Sequence, residues 1–160
     1  PVDRRQRQMC IRDRIRRFPK DCDFADEVRT PNDFIELLPF ADYLVMALPD
    51  SKETRDVIDK NILKKMNPKS MLINVGRGSA INEDDLANAL NNEEIASAAL
   101  DTTKKEPLEN SSPLWTAKNC FISSHDSAHS LLSLPRSFNL FLENVINLKN
   151  NDPITNLFKS

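Results

Sequence analysis

Met71-Leu72-Ile73-Asn74-Val75-Gly76-Arg77-Gly78-Ser79-Ala80-Ile81-Asn82-Glu83-Asp84-Asp85-Leu86-Ala87-Asn88-Ala89-Leu90 changes its periodicity partway along. Met71-Leu72-Ile73-Asn74-Val75 reads as a strand, stopped by Gly76. Asn82 with Asp85 three residues later resembles a capping box, and Leu86, Ala87 and Leu90 recur at helical spacing behind it. Strand, turn and helix in that order predict one β–α unit. Ile95 to Leu100, ended by Asp101, supplies the next strand.

The same alternation continues on both sides. Upstream, Tyr43-Leu44-Val45-Met46-Ala47-Leu48 is a strand-length run stopped by Pro49, and Asp59 to Met66 predicts a short helix with Ile62, Leu63 and Met66 on one face. Downstream, Cys120-Phe121-Ile122 predicts a fourth strand running into Ser123, Ser124 and His125. Strands that lack polar alternation are expected to be buried on both faces, and intervening helices imply parallel crossovers. The expected class is α/β with an open, doubly wound parallel sheet. After Pro135, the stripe Phe138, Phe141, Leu142, Val145 and Ile146 predicts an amphipathic helix facing a core.

Composition bounds the chemistry. The 160 residues include only two glycines, Gly76 and Gly78, where about eleven would be average at roughly 7%. No G-x-G-x-x-G turn and no P-loop can be written. No apolar run approaches the roughly 18 residues of a membrane span, so a soluble chain is expected. Cys10, Cys22 and Cys120 form no C-x-x-C and have no histidine at ligand spacing, which predicts unpaired thiols, a reducing compartment and no metal site.

Charge divides the chain unevenly. Residues 1–20 carry a net charge of +6 and the remaining 140 a net of −8. Three readings of the basic stretch compete: a nucleic-acid-binding arm, a targeting segment, and a stretch foreign to the protein. Arg7-Gln8-Met9-Cys10-Ile11-Arg12-Asp13-Arg14 resembles an in-frame translation of sequencing adapter, and the third reading is preferred for residues 1–14.

In open parallel α/β sheets, ligands bind outside the carboxyl ends of the strands. Those ends here carry Pro49, then Gly76-Arg77-Gly78, then Asp101 with Glu106, then His125. Taken singly, Arg77 reads as a surface ion-pair former, Glu106 as solvated and His125 as structural. Flanking glycines strengthen the case for Arg77, because they let backbone approach a ligand. As a set at one edge, the residues suit carbonyl reduction of a 2-oxo acid. The arginine fork would clamp the carboxylate and polarise the carbonyl oxygen. The histidine would protonate that oxygen as hydride arrives at carbon, with a carboxylate fixing its tautomer. The hydride itself must come from a cofactor.

Several motifs in order carry a resemblance. Ala41-Asp42-Tyr43-Leu44-Val45-Met46-Ala47-Leu48-Pro49 with Glu53-Thr54-Arg55, Ile73-Asn74-Val75-Gly76-Arg77-Gly78, Ala98-Ala99-Leu100-Asp101 with Glu106-Pro107-Leu108, Ser112-Pro113-Leu114-Trp115 and His125 resemble the D-isomer-specific 2-hydroxyacid dehydrogenase family over roughly residues 25–155. The nearest branch includes glyoxylate/hydroxypyruvate reductases and phosphoglycerate-dehydrogenase-like proteins. The resemblance implies a Rossmann-type NAD(P)-binding fold, of which this is the carboxyl-terminal part. It implies that Arg77 binds substrate, that Glu106 and His125 are the acid pair, and that Asp101 holds the nicotinamide carboxamide. Leu48, Pro49, Asn74, Val75 and Gly76 would line the cofactor. Arg16 and Arg17 fall where the family selects the adenine ribose, and paired arginines there favour NADP over NAD.

Ser123-Ser124 replace the family's usual Thr-Pro, Asp126 is a rival partner for His125, and His129 is expected to be a surface histidine. The domains expected are a foreign-looking segment 1–14, a partial NAD(P)-binding domain 15–126, and a carboxyl-terminal helix and tail 127–160 returning towards the family's substrate domain. The family's substrate domain and glycine-rich turn are expected before residue 15, which implies that the chain alone is inactive. The resemblance further implies a cytoplasmic homodimer acting on a small 2-oxo or 2-hydroxy acid, with no nucleic-acid or membrane partner. Alternatives on the same scaffold are a corepressor that senses NAD(H), and phosphite or formate dehydrogenase.

Overall fold

The computed structural model describes residues 11–20 and 23–156. Cys10, Cys22 and the part of the basic stretch before Ile11 lie outside the described residues. The chain divides into two compact units, one reaching Ser124 and one beginning at His125.

The first unit contains two parallel sheets. In the smaller, β1 (Asp13–Ile15) pairs with β2 (Glu27–Arg29). Arg12 and Asp26 extend the pairing: Asp26 N–H donates to Arg12 O at 2.8 Å, and Arg12 N–H to Asp26 Oδ2 at 2.8 Å. The described part of the stretch read as foreign therefore lies in or beside paired β-structure. A Thr30–Asp33 capping box then opens a short helical passage leading into α1 (Phe34–Leu37).

The larger sheet runs in chain order, β3 (Tyr43–Met46), β4 (Met71–Asn74), β5 (Ser97–Leu100) and β6 (Cys120–Ile122), all parallel. Each predicted strand is present, shortened by one or two residues at an end or unchanged. Consecutive parallel order places every carboxyl end at one edge. Between strands lie α2 (Lys60–Leu63) and α3 (Glu83–Asn91). Asp59 caps α2 by accepting from Asn61 N–H and Ile62 N–H, both at 2.9 Å. Asn82 caps α3, its Oδ1 accepting from Asp85 N–H at 3.1 Å. The predicted cap is thus half of a box, because Asp85 spends its carboxylate on Lys60 N–H at 2.9 Å. That contact ties the start of α2 to the first turn of α3.

The core lies on one face of the sheet. Leu72, Ala98 and Leu100 point into it beside Ile58, Leu63, Ile81, Leu86, Leu90 and Leu114, all at 2% exposure or less. Burying each large aliphatic side chain contributes about 1.5–3 kcal/mol. The opposite face is open: Tyr43, Val45 and Phe121 are 68%, 60% and 66% exposed. This corrects the expectation of strands buried on both faces. The residues are apolar on both sides, but α2 and α3 cover one.

The second unit holds α4 (Ser133–Asn150), ended by Asn151 in the left-handed conformation (φ 59°). The stripe is present, but none of its residues is buried; Phe138 is 57% exposed and Phe141 61%. The core-facing reading of this helix is therefore corrected as well. Asn144 holds the segment after the helix, accepting from Thr155 N–H at 2.9 Å and donating to Thr155 O at 3.1 Å.

A one-sided core has a direct consequence. Leu72→Ala should lower unfolding free energy by about 2–5 kcal/mol, whereas Val45→Thr on the open face should change it by no more than about 0.5 kcal/mol. Urea unfolding of both variants checks this; comparable losses would mean that the outer face is covered.

Candidate active site

The carboxyl edge of the sheet is organised around the turn that follows β4. Asn74 is wholly buried and uses its side chain within this turn. Its Nδ2 donates to Arg77 O and its Oδ1 accepts from Gly76 N–H, both at 3.0 Å. Its main-chain oxygen accepts from Asp101 N–H at 2.9 Å, so the turn is tied to the end of β5. Asn74, one of the positions expected to line a cofactor, thus shapes the turn with its side chain.

Neither glycine adopts a positive φ. A Cβ on Gly76 would stand 2.6 Å from Leu48 N and 2.7 Å from Leu48 O. One on Gly78 would stand 2.0 Å from the carbonyl carbon of Thr103 and 2.5 Å from Lys104 N. Both glycines are required by the close approach of neighbouring protein backbone, a reason that sequence spacing does not supply. Between them Arg77 is held outward and exposed, with Nη1 donating to Gly76 O at 2.9 Å.

Asp50, which sequence reasoning passed over, completes this side of the edge. Its Oδ1 accepts from Ser79 Oγ at 2.9 Å and from Arg55 Nε at 3.1 Å. Those two contacts, with the nearby Arg77 charge, hold its carboxyl below the usual carboxylate range. Thr54 closes the same loop by donating to Pro49 O at 2.7 Å. Asp50 and Ser79 each adjoin a quoted motif, and adjacency was the signal available.

After β5, Asp101, Thr102 and Thr103 are buried. Ser123 Oγ donates to Asp101 Oδ1 at 2.6 Å, across from the end of β6. Glu106 folds back, its Oε1 accepting from Thr103 N–H at 3.1 Å. Lys104 joins the loop to two others through Glu83 Oε1 (2.6 Å from its N–H) and Asp56 Oδ1 (2.5 Å from Nζ). The Thr102 hydroxyl is buried without a hydrogen-bond partner.

Arg77, Asp101 and Glu106 thus share one sheet edge within the first unit, and Leu48, Pro49 and Val75 lie along that edge. His125 is the first residue of the second unit and adopts the left-handed conformation (φ 60°). Such a conformation costs about 1–3 kcal/mol in a non-glycine residue and is concentrated at functional sites. Asp126 engages His129, with Oδ1 2.6 Å from Nδ1, and His129 is at the surface as expected. Arg16 N–H donates to Arg29 O at 3.1 Å just past β1, while the Arg17 guanidinium lies 5.7 Å from the Phe18 ring centre. Cys120 is a free thiol whose burial, with the Glu83 charge, pushes its pKa up to about 11. It stays protonated at neutral pH. Among the described residues no cluster of His, Cys, Asp and Glu could hold a metal ion.

A nicotinamide ring needs an apolar surface and an acceptor for its carboxamide N–H. Exposed Val75 and Pro49 and the buried Asp101 carboxylate offer both along one edge. An exposed arginine beside them offers a forked donor to a carboxylate.

A family model described as "D-isomer specific 2-hydroxyacid dehydrogenase, NAD binding domain" matches residues 9–127, beginning inside the stretch read as foreign. The human glyoxylate reductase/hydroxypyruvate reductase is 40% identical over 101 residues, covering 63% of this chain and 30% of the human protein. Among solved structures, a D-isomer specific 2-hydroxyacid dehydrogenase family protein from Aeromonas salmonicida is 32% identical with a TM-score of 0.82, covering 92% of this chain and 47% of that one. A second, from Xanthobacter autotrophicus in complex with NADPH and MES, is 26% identical with a TM-score of 0.82, covering 92% of this chain and 60% of that one. The chain therefore spans under a third of the curated human relative and roughly half of these solved chains.

Two measurements probe the edge. Gly78→Ala should cost about 3 kcal/mol or more, because backbone rather than a flexible side chain must move, and urea unfolding reads this directly. A loss below about 1 kcal/mol would mean that the Thr103 loop gives way. Asp50 has a lowered folded pKa, so its contribution is complete above the unfolded value of about 3.9 and is lost as pH falls through the folded value. Asp50→Asn should therefore be destabilised relative to wild type at neutral pH, with the gap closing in acid. A gap that does not change with pH would contradict the ionised contact.

Proposed function

The chain belongs to the D-isomer specific 2-hydroxyacid dehydrogenase family, and from that premise we propose that it forms part of an oxidoreductase interconverting a 2-oxo acid and a D-2-hydroxy acid with NAD(P)H. The observation that carries the reading is the Arg77 turn. An exposed guanidinium is presented at the carboxyl edge of a parallel sheet, oriented by a neutral carbonyl, and the glycines on either side of Arg77 are wedged against neighbouring backbone.

Arg77 binds the substrate carboxylate through its fork and draws electron density from the neighbouring carbonyl oxygen. His125 gives a proton to that oxygen in reduction and takes it back in oxidation. Glu106 is the carboxylate that holds the imidazole protonated for the forward step. Asp101 would accept from the nicotinamide carboxamide, and Leu48, Pro49, Val75 and Gly76 would line the cofactor, with Asn74 shaping the turn. The cofactor, when bound, supplies or accepts the hydride. Arg16 and Arg17 follow β1 and add positive charge suited to the extra phosphate of NADP, in keeping with the NADPH carried by the Xanthobacter relative. Glyoxylate and hydroxypyruvate are the substrates to test first, given the name of the human relative.

We read the full-length protein as a cytoplasmic homodimer working on small molecules rather than on nucleic acid or a membrane. A net charge of −8 over the last 140 residues is consistent with that. No helix among the described residues is long and apolar enough to cross a membrane.

The 160-residue chain alone is expected to oxidise NADPH little or not at all with either acid. In a full-length protein carrying this segment, His125→Ala should cut kcat by about 10²–10⁴-fold with cofactor affinity unchanged. Steady-state rates with a direct cofactor titration check both. An undiminished rate in the histidine variant would remove the role given to His125.

A further inference from the structure

Ser123 has no part in the function so far, yet it is tied to that function's most buried charge. β5 and β6 pair in register, Leu100 opposite Ile122, so the next residue on each strand, Asp101 and Ser123, emerges side by side. Two bonds fix Ser123 there: its N–H donates to Leu100 O at 2.9 Å, and its hydroxyl to Asp101 Oδ1 at 2.6 Å. Asp101 is held from the other side by its own N–H on Asn74 O at 2.9 Å and is only 7% exposed. With its backbone fixed, an aspartate keeps two torsions: the one about Cα–Cβ is confined to staggered wells, while rotation of the oxygens about Cβ–Cγ is soft. A hydroxyl fixed on one oxygen sets that rotation, and with it the direction in which the group accepts further donors.

We propose that Ser123 is a positioning residue that orients the Asp101 carboxylate for the carboxamide N–H of the nicotinamide cofactor. The inference rests on the cofactor reading of Asp101 given above. A hydroxyl is the feature required, since it must donate to the carboxylate. Serine supplies it from a strand end whose backbone is already paired.

The test is a binding measurement on the folded chain, with two cofactors and two variants of equal shape. NADPH carries a carboxamide; its reduced acetylpyridine analogue carries a methyl ketone and has no N–H to donate. Ligand-observed NMR titration gives the affinity ratio between the two. Wild type should prefer NADPH, and Ser123→Thr, which keeps the hydroxyl, should keep that preference. Ser123→Val, which has the volume of threonine without the hydroxyl, should lose about tenfold in NADPH affinity with little change for the analogue. In an Asp101→Asn background, Ser123→Val should alter the ratio no further. A Ser123→Val chain that still prefers NADPH as wild type does would overturn the role of Ser123 and leave the reading of Asp101 standing. A wild-type chain that binds the two cofactors equally would overturn the reading of Asp101, and the proposal with it.

Discussion

Backbone pressed against backbone at Gly76 and Gly78 is the constraint on which the functional edge depends. Three loops meet there: the one leaving β3 at Leu48, the turn after β4, and the one leaving β5 at Thr103. They approach so closely that no side chain fits between them. A chain with two glycines places both at these contacts. The result is an arginine whose Cα can hardly move, because the residues on either side of it are wedged. Rigid placement suits the carboxylate-binding role proposed for Arg77, since misplacement by an ångström can cost orders of magnitude in rate.

Charge around that arginine is arranged in keeping with the same end. Arg77 donates to a carbonyl, which orients the guanidinium without neutralising it. Asp50 lies close enough to feel its field but is hydrogen-bonded to Arg55 and Ser79. Had Asp50 paired with Arg77 directly, the substrate carboxylate of the proposed reaction would have had to displace a bound one. Arg55 therefore acts as a counter-charge that keeps the acid occupied. The polar contacts here are mostly exposed and individually weak. Their effect is on geometry, tying the Pro49–Arg55 loop to Ser79.

Much of this was legible in the sequence. The four strands of the main sheet and the Asn82 cap follow from apolar runs and their punctuation, because local patterning and local capping need no knowledge of the rest of the chain. The order of motifs at the strand ends likewise placed Arg77, Asp101 and Glu106 at one edge. The reason for the glycines was not legible. A close approach between Gly78 and Thr103 involves residues far apart in sequence, and spacing alone cannot say whether the neighbour is ligand or protein. Asp50 and Ser123 were missed for a related cause: each acts through a partner on another strand end, and an isolated aspartate or serine in a loop carries no periodic signal.

The one-sided burial of the sheet marks a further boundary to what a pattern can state. Val45 and Leu72 read alike as members of apolar runs, yet one is 60% exposed and the other wholly buried. Hydrophobic periodicity reports that a residue suits a covered surface; it does not report which element covers it. The same holds for α4, where an apolar stripe at correct helical spacing has no buried member. Strand identity rests on contacts between neighbours in the sheet, and β3 to β6 pair in sequence within this unit. Burial of the outer face rests on packing partners, which a run of apolar letters cannot name. The functional edge is set by the first kind of contact, through Asn74, Asp101 and Ser123 bridging adjacent strand ends, so its geometry does not require the outer face to be covered.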